Sequence, residues 1–330
     1  MRIFAWCKAA VRSVLAGVLY YTALDRLLAR LLPCNAAAVI MYHGVCSRSD
    51  MPEEINFHVT PEEFERHMRL LKSRYPVISL DELVERLAQG RDLGKSVVLT
   101  FDDGYQNNAL HVAPVLRRYH LPGTIFLTTA FIGSPNWLPL NELYALWAAG
   151  KIPSAEVGGL RERIRLSPAS STAALVEDIR QRSQQLDRAV FAESFAMLSW
   201  DEVRELDGAE ITFGSHTQTH CSMAAEPMPV RSRELKESRE IMERELGHKV
   251  STFAYPYGRP PYINHDTKAL IQEAGYSCAL LTESALVTPQ TDPYRISRIC
   301  LHRASHQLAF ELLYQFGRHA WKTRFSGRRK

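Results

Sequence analysis

The sequence predicts an α/β protein built on a parallel sheet, either open or closed into a barrel. Short apolar segments rich in β-branched residues alternate along the chain with segments of helical periodicity. Most of the predicted strands run directly into a polar or glycine residue, and the active sites of barrels and open α/β sheets lie at that end of the strands. A chain of 330 residues suits one barrel-sized domain with insertions.

Residues 1–36 predict a separate N-terminal segment. Residues 14–24 are uncharged and mostly apolar, but this stretch is short compared with the roughly 20 residues that a membrane-spanning helix needs. The leucines that follow share one helical face: Leu24, Leu27, Leu28, Leu31 and Leu32. We expect an amphipathic helix in a membrane interface or a short anchor. A helix packed on the protein's own barrel is the alternative, and the absence of a clean small-residue cleavage site disfavours a removed signal peptide.

The alternation of strands and helices begins at residue 37 and is marked by helix caps. Thr60 is followed by proline, Ser79 by Leu-Asp-Glu and Ser199 by Trp-Asp-Glu, all signs of a helix start. Strands are predicted at residues 36–42, 76–79, 97–101, 123–128, 211–213, 250–255, 277–281 and 295–301. Helices are predicted at residues 61–74, 80–90, 106–119, 229–246, 264–274 and 305–316, with a short one after Ser199.

Residues 133–198 interrupt the alternation of strands and helices, which predicts an insertion. An aromatic-rich patch with Trp137, Tyr144 and Trp147 is followed by a polar helical stretch to about residue 189. Barrel enzymes build substrate sites from the segments that follow strands. The aromatic side chains could therefore stack on sugars or touch lipid, although packing within the insertion explains them equally well.

Two adjacent carboxylates follow the predicted strand at residues 97–101. Asp102 and Asp103 precede a glycine, which marks the end of the strand. Two neighbouring carboxylates are costly when both are ionised. A divalent metal would remove that cost by binding one of them and leaving the other free as a base. The alternative is an ordinary Asp-Gly turn.

A pair of histidines follows the predicted strand at residues 211–213. His216 and His220 are four residues apart, a spacing that lets both imidazoles reach the same side of a tight turn. Together with Asp103 they would form a metal site of two imidazoles and one carboxylate with open positions for water or substrate. A single histidine is usually exposed or satisfied in the core, but this pair beside the Asp-Asp sequence favours a metal.

Three motifs in this order carry a resemblance to a known family. They are Thr-Phe-Asp-Asp-Gly-Tyr at 100–105, Ser-His-Thr-Gln-Thr-His at 215–220 and Phe-Ala-Tyr-Pro-Tyr-Gly at 253–258. Together they resemble the polysaccharide deacetylase family, the NodB-homology or carbohydrate esterase 4 group. Met-Tyr-His-Gly-Val at 41–45 is similar to the initial element of many bacterial members tied to exopolysaccharide synthesis. The resemblance covers roughly residues 37–300 and implies a distorted, incomplete (β/α) barrel.

The resemblance also implies a mechanism, in which a metal-dependent hydrolase removes an N-acetyl group. Asp103, His216 and His220 would hold a divalent metal, most simply zinc, which lowers the pKa of a bound water. Asp102 would be the general base that takes the proton of that water. The metal and the backbone N–H of Tyr257 would stabilise the oxyanion.

The general acid is where the sequence departs from the family pattern. Leu-His at 301–302 resembles the family's late leucine-histidine element, but its surroundings match poorly, and a late Asp-Trp motif is not evident. His302 and His43 are therefore alternative acids, and His43 could instead orient another group of the site. We further expect His43, Tyr105 and Pro256 to contact the substrate.

The family acts on acylated amino sugars, which leaves three hypotheses. The first is removal of N-acetyl groups from a bacterial envelope polysaccharide or lipid-linked glycan. The second is a deformylase or deacetylase for one lipid-linked sugar, which differs in substrate and not in chemistry. The third is a non-catalytic glycan-binding scaffold, against which the intact base and metal-ligand set argue.

The basic charge of the chain is concentrated in its last thirteen residues, 318–330. Six basic side chains lie there without an acid: Arg318, Lys322, Arg324, Arg328, Arg329 and Lys330. Removing them from the formal net charge of +4 leaves −2 for residues 1–317. With Trp321 and Phe325 among them, this tail predicts contact with anionic lipid, the alternative being a disordered solubilising tail.

From both segments we expect an enzyme of the bacterial cell envelope that is peripheral to or anchored at the cytoplasmic membrane. The similar positive flanks of the N-terminal segment do not determine the side of the membrane. The charges carry no nucleic-acid motif, so no nucleic-acid partner is expected. Six scattered cysteines without a Cys-x-x-Cys pair indicate neither a zinc knuckle nor a disulfide framework.

Overall fold

A computed structural model of the protein describes Thr22 and residues 34–47, 58–264, 266–300 and 305–326. Its centre is one sheet of seven strands in the order β6-β5-β4-β3-β2-β1-β7, in which every neighbouring pair is parallel. The strands are β1 Ala38–Tyr42, β2 Val97–Phe101, β3 Gly123–Leu127, β4 Ile211–Ser215, β5 Thr252–Ala254, β6 Cys278–Leu280 and β7 Ile299–Cys300.

The two edges of the sheet approach each other through the segment that leads into β7. Ile296 forms a parallel bridge with Leu280 of β6, and Ile299, three residues later, pairs with Ile40 of β1. The sheet thus curls into a distorted, incomplete (β/α) barrel, and the predicted fold class is confirmed. Residues of β1, β2 and β3 are buried on both faces, as parallel strands covered on two sides require.

Eleven α-helices surround the sheet within the described residues. They are α1 Pro61–Arg74, α2 Leu80–Ala88, α3 Ala113–Tyr119, α4 Pro139–Ala148, α5 Ser154–Leu166, α6 Ala169–Ser183, α7 Ala189–Phe195, α8 Trp200–Leu206, α9 Met228–Leu246, α10 Thr267–Glu273 and α11 Ser305–Ser326. The predicted caps are confirmed, because the side chains of Thr60, Ser79 and Ser199 accept hydrogen bonds from the backbone N–H three residues later.

Side chains of the strands alternate between two apolar clusters. Val98 packs with Leu80 and Leu83 of α2, whereas Val97, Leu99 and Phe101 belong to the cluster that includes Phe64 of α1. Asp102 follows Val98 at an even spacing and therefore continues the row of side chains on the α2 face of the sheet. This alternation determines which strand-end residues can meet in one site.

Several predicted elements differ from the structure at their ends. Residues 76–79 form only a single bridge, between Val77 and Val97, and no continuous strand. The predicted helix at 106–119 begins with a π-helical turn, Asn108–Val112. Because a π turn advances five residues per hydrogen bond, its side chains point in directions that differ from those of an α-helix, and Leu110 is 57% exposed.

The insertion at residues 133–198 contains the helices α4, α5, α6 and α7. Trp137 is buried against Phe195, with ring centroids 5.6 Å apart, so this aromatic belongs to the core of the insertion. Leu138 and Tyr144, in contrast, line a cavity at the carboxyl ends of the strands. Trp137 therefore packs within the insertion, as the alternative expected, whereas contact of Tyr144 with a sugar stays a prediction.

The described part of the C-terminal region is helical beyond the predicted end. The helix α11 continues from the predicted residue 316 to Ser326, so part of the basic tail at 318–330 is helical. The last strand is shorter than the predicted 295–301. Most of the predicted amphipathic segment at 1–36 lies outside the described residues, and among the helices of the described segments none is long and apolar enough to cross a membrane.

Candidate metal centre and active site

A cavity of about 310 Å³ opens at the carboxyl ends of the strands. Most of the site residues predicted from the sequence line it, each placed there by a strand or the loop directly after it: His43, Asp102, Asp103, Tyr105, His216, His220 and Tyr257. The volume is at the lower end of the range for sites of small ligands. The strand-end positions therefore converge on one site, as the parallel topology requires.

Asp103, His216 and His220 bring three potential metal ligands together. Oδ1 of Asp103 lies 3.2 Å from Nε2 of His220 and 3.5 Å from Nε2 of His216, and one ligand atom from each residue lies within 4.8 Å of the others. Two atoms that each lie ~2.1 Å from one ion are at most about 4.2 Å apart, so these two distances fit a shared ion. Moreover, Oδ1 is buried and has no hydrogen-bond partner among the described residues. A cation would satisfy this oxygen, and the residues therefore fit a divalent metal.

The other ring nitrogens of the two histidines are engaged in a way that leaves Nε2 available as a ligand. Nδ1 of His216 lies 2.8 Å from the carbonyl oxygen of Ala254, and since a carbonyl only accepts, this nitrogen carries the proton. Nδ1 of His220 lies 3.2 Å from the hydroxyl of Tyr257. Burial lowers the pKa of His216 to about 4, which keeps its imidazole neutral and able to bind a metal.

Asp103 is ionised in this setting. Burial alone would raise the pKa of its carboxyl, but the neighbouring imidazoles of His220, His43 and His216 outweigh burial and hold that pKa below its ordinary value. Asp103 therefore supplies an anionic oxygen to the site at neutral pH.

The loops that carry the ligands adopt unusual backbone conformations. Four non-glycine residues at the site have positive φ angles: Asp103 at 77°, Thr217 at 68°, His220 at 61° and Tyr257 at 61°. Gly104 follows with φ of 86°, and a Cβ atom there would lie 2.9 Å from side-chain atoms of Leu127 and Ile132. Such conformations cost about 1–3 kcal/mol each for non-glycine residues and persist only when surrounding contacts impose them. The clustering of these positive φ angles at the site indicates that surrounding contacts impose a backbone geometry that the residues would not adopt alone.

Glu234 of α9 imposes the conformation of the histidine loop. Its buried carboxylate accepts hydrogen bonds from the backbone N–H groups of Gln218 and Thr219, at 2.8 and 2.9 Å, and from the Thr219 hydroxyl at 2.8 Å. The sequence predicted only a helix at residues 229–246, and Glu234 was not among the predicted site residues. The local sequence signal for the burial of Glu234 is its position on the same helical face as Leu235 and Ser238, which are also buried.

Asp102 is held by an arginine that the sequence analysis also missed. Arg298 is fully buried and donates hydrogen bonds from both terminal nitrogens to the two carboxylate oxygens of Asp102. Burial alone would raise the pKa of Asp102, but the charge of Arg298 outweighs it and keeps the pKa below its ordinary value. Asp102 is therefore anionic and fixed in orientation beside the three metal-ligand residues. In the sequence, Arg298 is a charged residue inside a mostly apolar segment. Because buried charges are almost always paired, this position could have pointed to a buried acidic partner.

The remaining predicted residues have different surroundings. The ring of Tyr257 packs edge-on against His220, and its carbonyl accepts a hydrogen bond from Thr282. Tyr105 is fully buried and shares a hydrogen bond with Asn141 of α4. Pro256 is buried and is not among the residues that line the cavity. His302 lies outside the described residues, so its predicted role as general acid is untested.

The insertion completes the wall of the cavity. The helix α5 contributes Arg161 and Arg165, and Arg259 lies after the Tyr257 loop. The insertion was expected to help build a substrate site, but these arginines were not among the residues predicted from the sequence.

A curled parallel barrel with one carboxylate, two imidazoles and a separate buried carboxylate at its strand ends is an arrangement that fits a metal-assisted hydrolase site. The profile of the family described as polysaccharide deacetylase matches residues 89–279, more than half of the chain. The chain therefore belongs to the polysaccharide deacetylase family and is a carbohydrate N-deacetylase, a hydrolase acting on amide bonds.

Two named relatives are similar to this chain over most of its length. The chain is 26% identical over 277 residues to a poly-β-1,6-N-acetyl-D-glucosamine N-deacetylase of Staphylococcus epidermidis, covering 80% of this chain and 78% of that protein. A protein of the same name from Staphylococcus aureus is 21% identical over 279 residues, covering 81% and 79%.

The fold is similar to that of IcaB from Ammonifex degensii, with a TM-score of 0.60, 20% identity and coverage of 84% of this chain and 97% of that one. It is also similar to the deacetylase PplD of Streptococcus pyogenes, with a TM-score of 0.59, 20% identity and coverage of 85% and 99%. At these identities the two structures show the fold, and the family assignment depends on the profile match.

Proposed function

We propose that this protein is a metal-dependent N-deacetylase that removes acetyl groups from the amino sugars of a bacterial exopolysaccharide. The observation that carries the proposal is the position of Asp102 beside the cluster of Asp103, His216 and His220. The names of the staphylococcal relatives support poly-N-acetylglucosamine as the substrate class. A single lipid-linked sugar is the alternative substrate and would use the same chemistry.

Asp103, His216 and His220 would hold the metal, and two imidazoles with one carboxylate are a ligand set used by catalytic zinc. When bound, a divalent ion at these residues lowers the pKa of a coordinated water and polarises an acyl oxygen. The protein supports this ligand set through the contact of His216 with Ala254 and through the Glu234 hydrogen bonds to the histidine loop.

The proton transfers would be carried out by the residues around the ligands. Asp102 accepts the proton of the attacking water, and Arg298 keeps it anionic and correctly oriented. The backbone N–H of Tyr257 donates to the developing oxyanion. The leaving amine must be protonated, and His43, which lines the cavity, and His302 are the two candidates for that acid.

The proposed location is the bacterial cell envelope, with peripheral contact to a membrane surface. This proposal depends on the sequence pattern of residues 1–36 and on the basic tail at 318–330. Flotation of the full chain with anionic and with neutral vesicles would test it, because binding through the basic tail requires anionic lipid.

The test of the function combines metal content with acetate release on the full chain. Wild type, Asp102→Asn and His216→Ala are purified, their bound metal is measured, and acetate release from β-1,6-linked N-acetylglucosamine oligomers is followed. His248→Ala is the matched control, because this histidine is half-exposed and pairs with Asp207 away from the site.

We expect about one metal per chain in wild type, Asp102→Asn and His248→Ala, and little in His216→Ala. Acetate release should be lost in Asp102→Asn and His216→Ala and kept in His248→Ala. Bound metal without acetate release from these oligomers would redirect the proposal to a lipid-linked sugar. Folded wild type that binds no metal after exposure to zinc would refute the metal-dependent mechanism.

A further inference from the structure

Three guanidinium groups line the cavity beside the metal-ligand cluster. Arg161 and Arg165 come from α5 of the insertion and Arg259 from the loop after Tyr257. The two carboxylates that line the same cavity are already engaged, Asp102 by Arg298 and Asp103 within the metal-ligand cluster. The mouth of the cavity therefore carries an excess of positive charge that the deacetylation chemistry does not use.

Arg165 is placed next to the metal-ligand cluster without entering it. Its guanidinium lies 4.9 Å from the centre of the Tyr257 ring, and that ring lies 4.9 Å from the ring of His220. A group bound by Arg165 in this cavity would thus lie beside Tyr257, near the potential metal ligands but not on them. Because the acyl amide of a bound saccharide must reach those ligands, a group at Arg165 would be a neighbouring substituent of the same saccharide.

The acidic neighbour of these arginines satisfies them incompletely. Glu162 lies 3.4 Å from Nε of Arg161 and 3.5 Å from Nη1 of Arg165, and it accepts a hydrogen bond from Tyr262. Nε of both arginines is buried and forms no hydrogen bond among the described residues, so that Nε of Arg161 has only the longer ion pair with Glu162. One carboxylate thus faces several guanidinium donors, and a buried donor without a partner is unfavourable.

We propose that Arg165 and Arg161 bind an anionic group of the substrate, so that the preferred saccharide carries a phosphate or a carboxylate near its N-acyl group. Arginine suits this role because its planar donors match both oxyanions bidentately. The ring of Tyr257 holds the Arg165 guanidinium in place from one side. The inference rests on the proposed N-deacetylase function for the position of the amide, and it replaces the neutral poly-N-acetylglucosamine of the relatives with an acidic amino sugar as the preferred substrate.

A purely structural role for Arg165, stacking on Tyr257 and pairing with Glu162, makes a different prediction. In that case its substitution would affect neutral and acidic saccharides equally. The anion-binding role requires an effect confined to acidic ligands. The two roles are therefore separable by comparing ligands on the same variant.

The test is a calorimetric titration of the zinc-loaded full chain. The probes are N-acetylglucosamine, its 1-phosphate, N-acetylmuramic acid (which adds a carboxylate to the same sugar) and inorganic phosphate. The variants are Arg165→Gln, Arg165→Lys and Arg163→Gln. Arg163 is the matched control, because it lies on the same helix, is exposed and does not line the cavity.

We expect at least one acidic sugar to bind wild type about tenfold tighter than N-acetylglucosamine. Arg165→Gln should reduce this preference to within about twofold, Arg165→Lys should keep part of it, and Arg163→Gln should keep all of it. Whichever acidic sugar shows the preference identifies phosphate or carboxylate as the recognised group. Thermal unfolding of each variant verifies that a loss of binding is not a loss of folding.

The proposal is overturned if neither acidic sugar is preferred, or if Arg165→Gln leaves the preference intact. It is also overturned if Arg163→Gln removes the preference equally, since general positive charge would then explain it. Inorganic phosphate binding as tightly as the sugar phosphate, independently of Arg165, would place the anion at the metal and refute the arginine site.

Acetate release from the same sugars separates this inference from the proposed function. We expect Arg165→Gln to raise KM for the acidic sugar about tenfold, with kcat and the values for the neutral sugar changed less than about twofold. If no sugar releases acetate in wild type, the proposed function fails for these substrates. The titrations would still decide whether Arg165 binds the anion.

Discussion

Arg298 and Asp102 form a bidentate ion pair inside the barrel. Nη1 of Arg298 donates to Oδ1 of Asp102 at 2.6 Å, and Nη2 donates to Oδ2 at 2.7 Å. The side chains are 0% and 3% exposed, and Nε of Arg298 also donates to the carbonyl of Leu281 at 2.8 Å. The proposed general base is thus tied to the segment that closes the sheet, so that the chemistry of the site and the closure of the barrel depend on the same contact.

Arg298→Gln should destabilise the protein by about 3–5 kcal/mol, because it leaves the Asp102 carboxylate buried without its opposite charge. Urea unfolding of the metal-free protein measures this change. Arg295→Gln is the matched control, since Arg295 is exposed and lies three residues earlier. The double variant Asp102→Asn/Arg298→Gln should lose less stability than the two single variants together. A loss below about 1 kcal/mol in Arg298→Gln would contradict this account of the pair.

The same pair predicts how stability depends on pH. An aspartate in an unfolded chain has a pKa near 3.9. In the folded protein the pKa of Asp102 is lower, because the charge of Arg298 outweighs the opposite effect of burial. The pair therefore contributes stability that is fully present above about pH 4 and is lost as the pH falls further, towards the folded pKa. The difference in free energy of unfolding between wild type and Asp102→Asn should be constant from about pH 5 to 7 and shrink below about pH 4. Shrinkage of this difference between pH 5 and 7 would contradict the direction of the pKa shift.

The parts of the site that could be predicted from sequence are those encoded over a few residues. Asp102 and Asp103 directly follow a strand, as do His216 and His220, and parallel strands bring such positions together. Helix starts at Thr60 and Ser79 were predictable for the same reason, since a cap is a contact over three residues.

The parts that were missed depend on contacts between distant positions. Arg298 and Asp102 are 196 residues apart, and neither position alone reveals its partner. Glu234 accepts hydrogen bonds from a loop 15 and 16 residues earlier, on a helix whose dense charges conceal its buried face. Arg165 lies on an insertion helix with little amphipathic pattern, so only the tertiary structure turns it towards the cavity.

Glu234 should act as a positioning residue for the metal ligands. Glu234→Ala leaves the backbone N–H groups of Gln218 and Thr219 without their acceptor, so the loop between the two histidines loses its conformation. We expect zinc affinity to fall about 10–100-fold, as measured by competition with a chelator. Glu234→Gln keeps an acceptor oxygen, so its zinc affinity should lie between those of wild type and Glu234→Ala.

Glu240→Ala controls for the loss of an acidic side chain, because Glu240 is exposed on the same helix. Its zinc affinity should match that of wild type. Equal zinc affinity in Glu234→Ala and Glu240→Ala would show that the Glu234 hydrogen bonds do not position the ligands.

The general acid can be assigned by comparing His43→Gln with His302→Gln. Removing the residue that protonates the leaving amine should lower kcat/KM about 10²–10⁴-fold. A general acid must be protonated to act, so activity falls as the pH rises through its pKa, and the variant of the true acid should lose this alkaline decline.

His120→Gln is the control, since this side chain is 80% exposed away from the cavity. Measurement of kcat/KM against pH for all three variants would assign the role to the histidine whose loss removes the decline. If both His43→Gln and His302→Gln retain the alkaline decline and near wild-type kcat/KM, neither histidine is the acid, and the amine receives its proton from another group of the site.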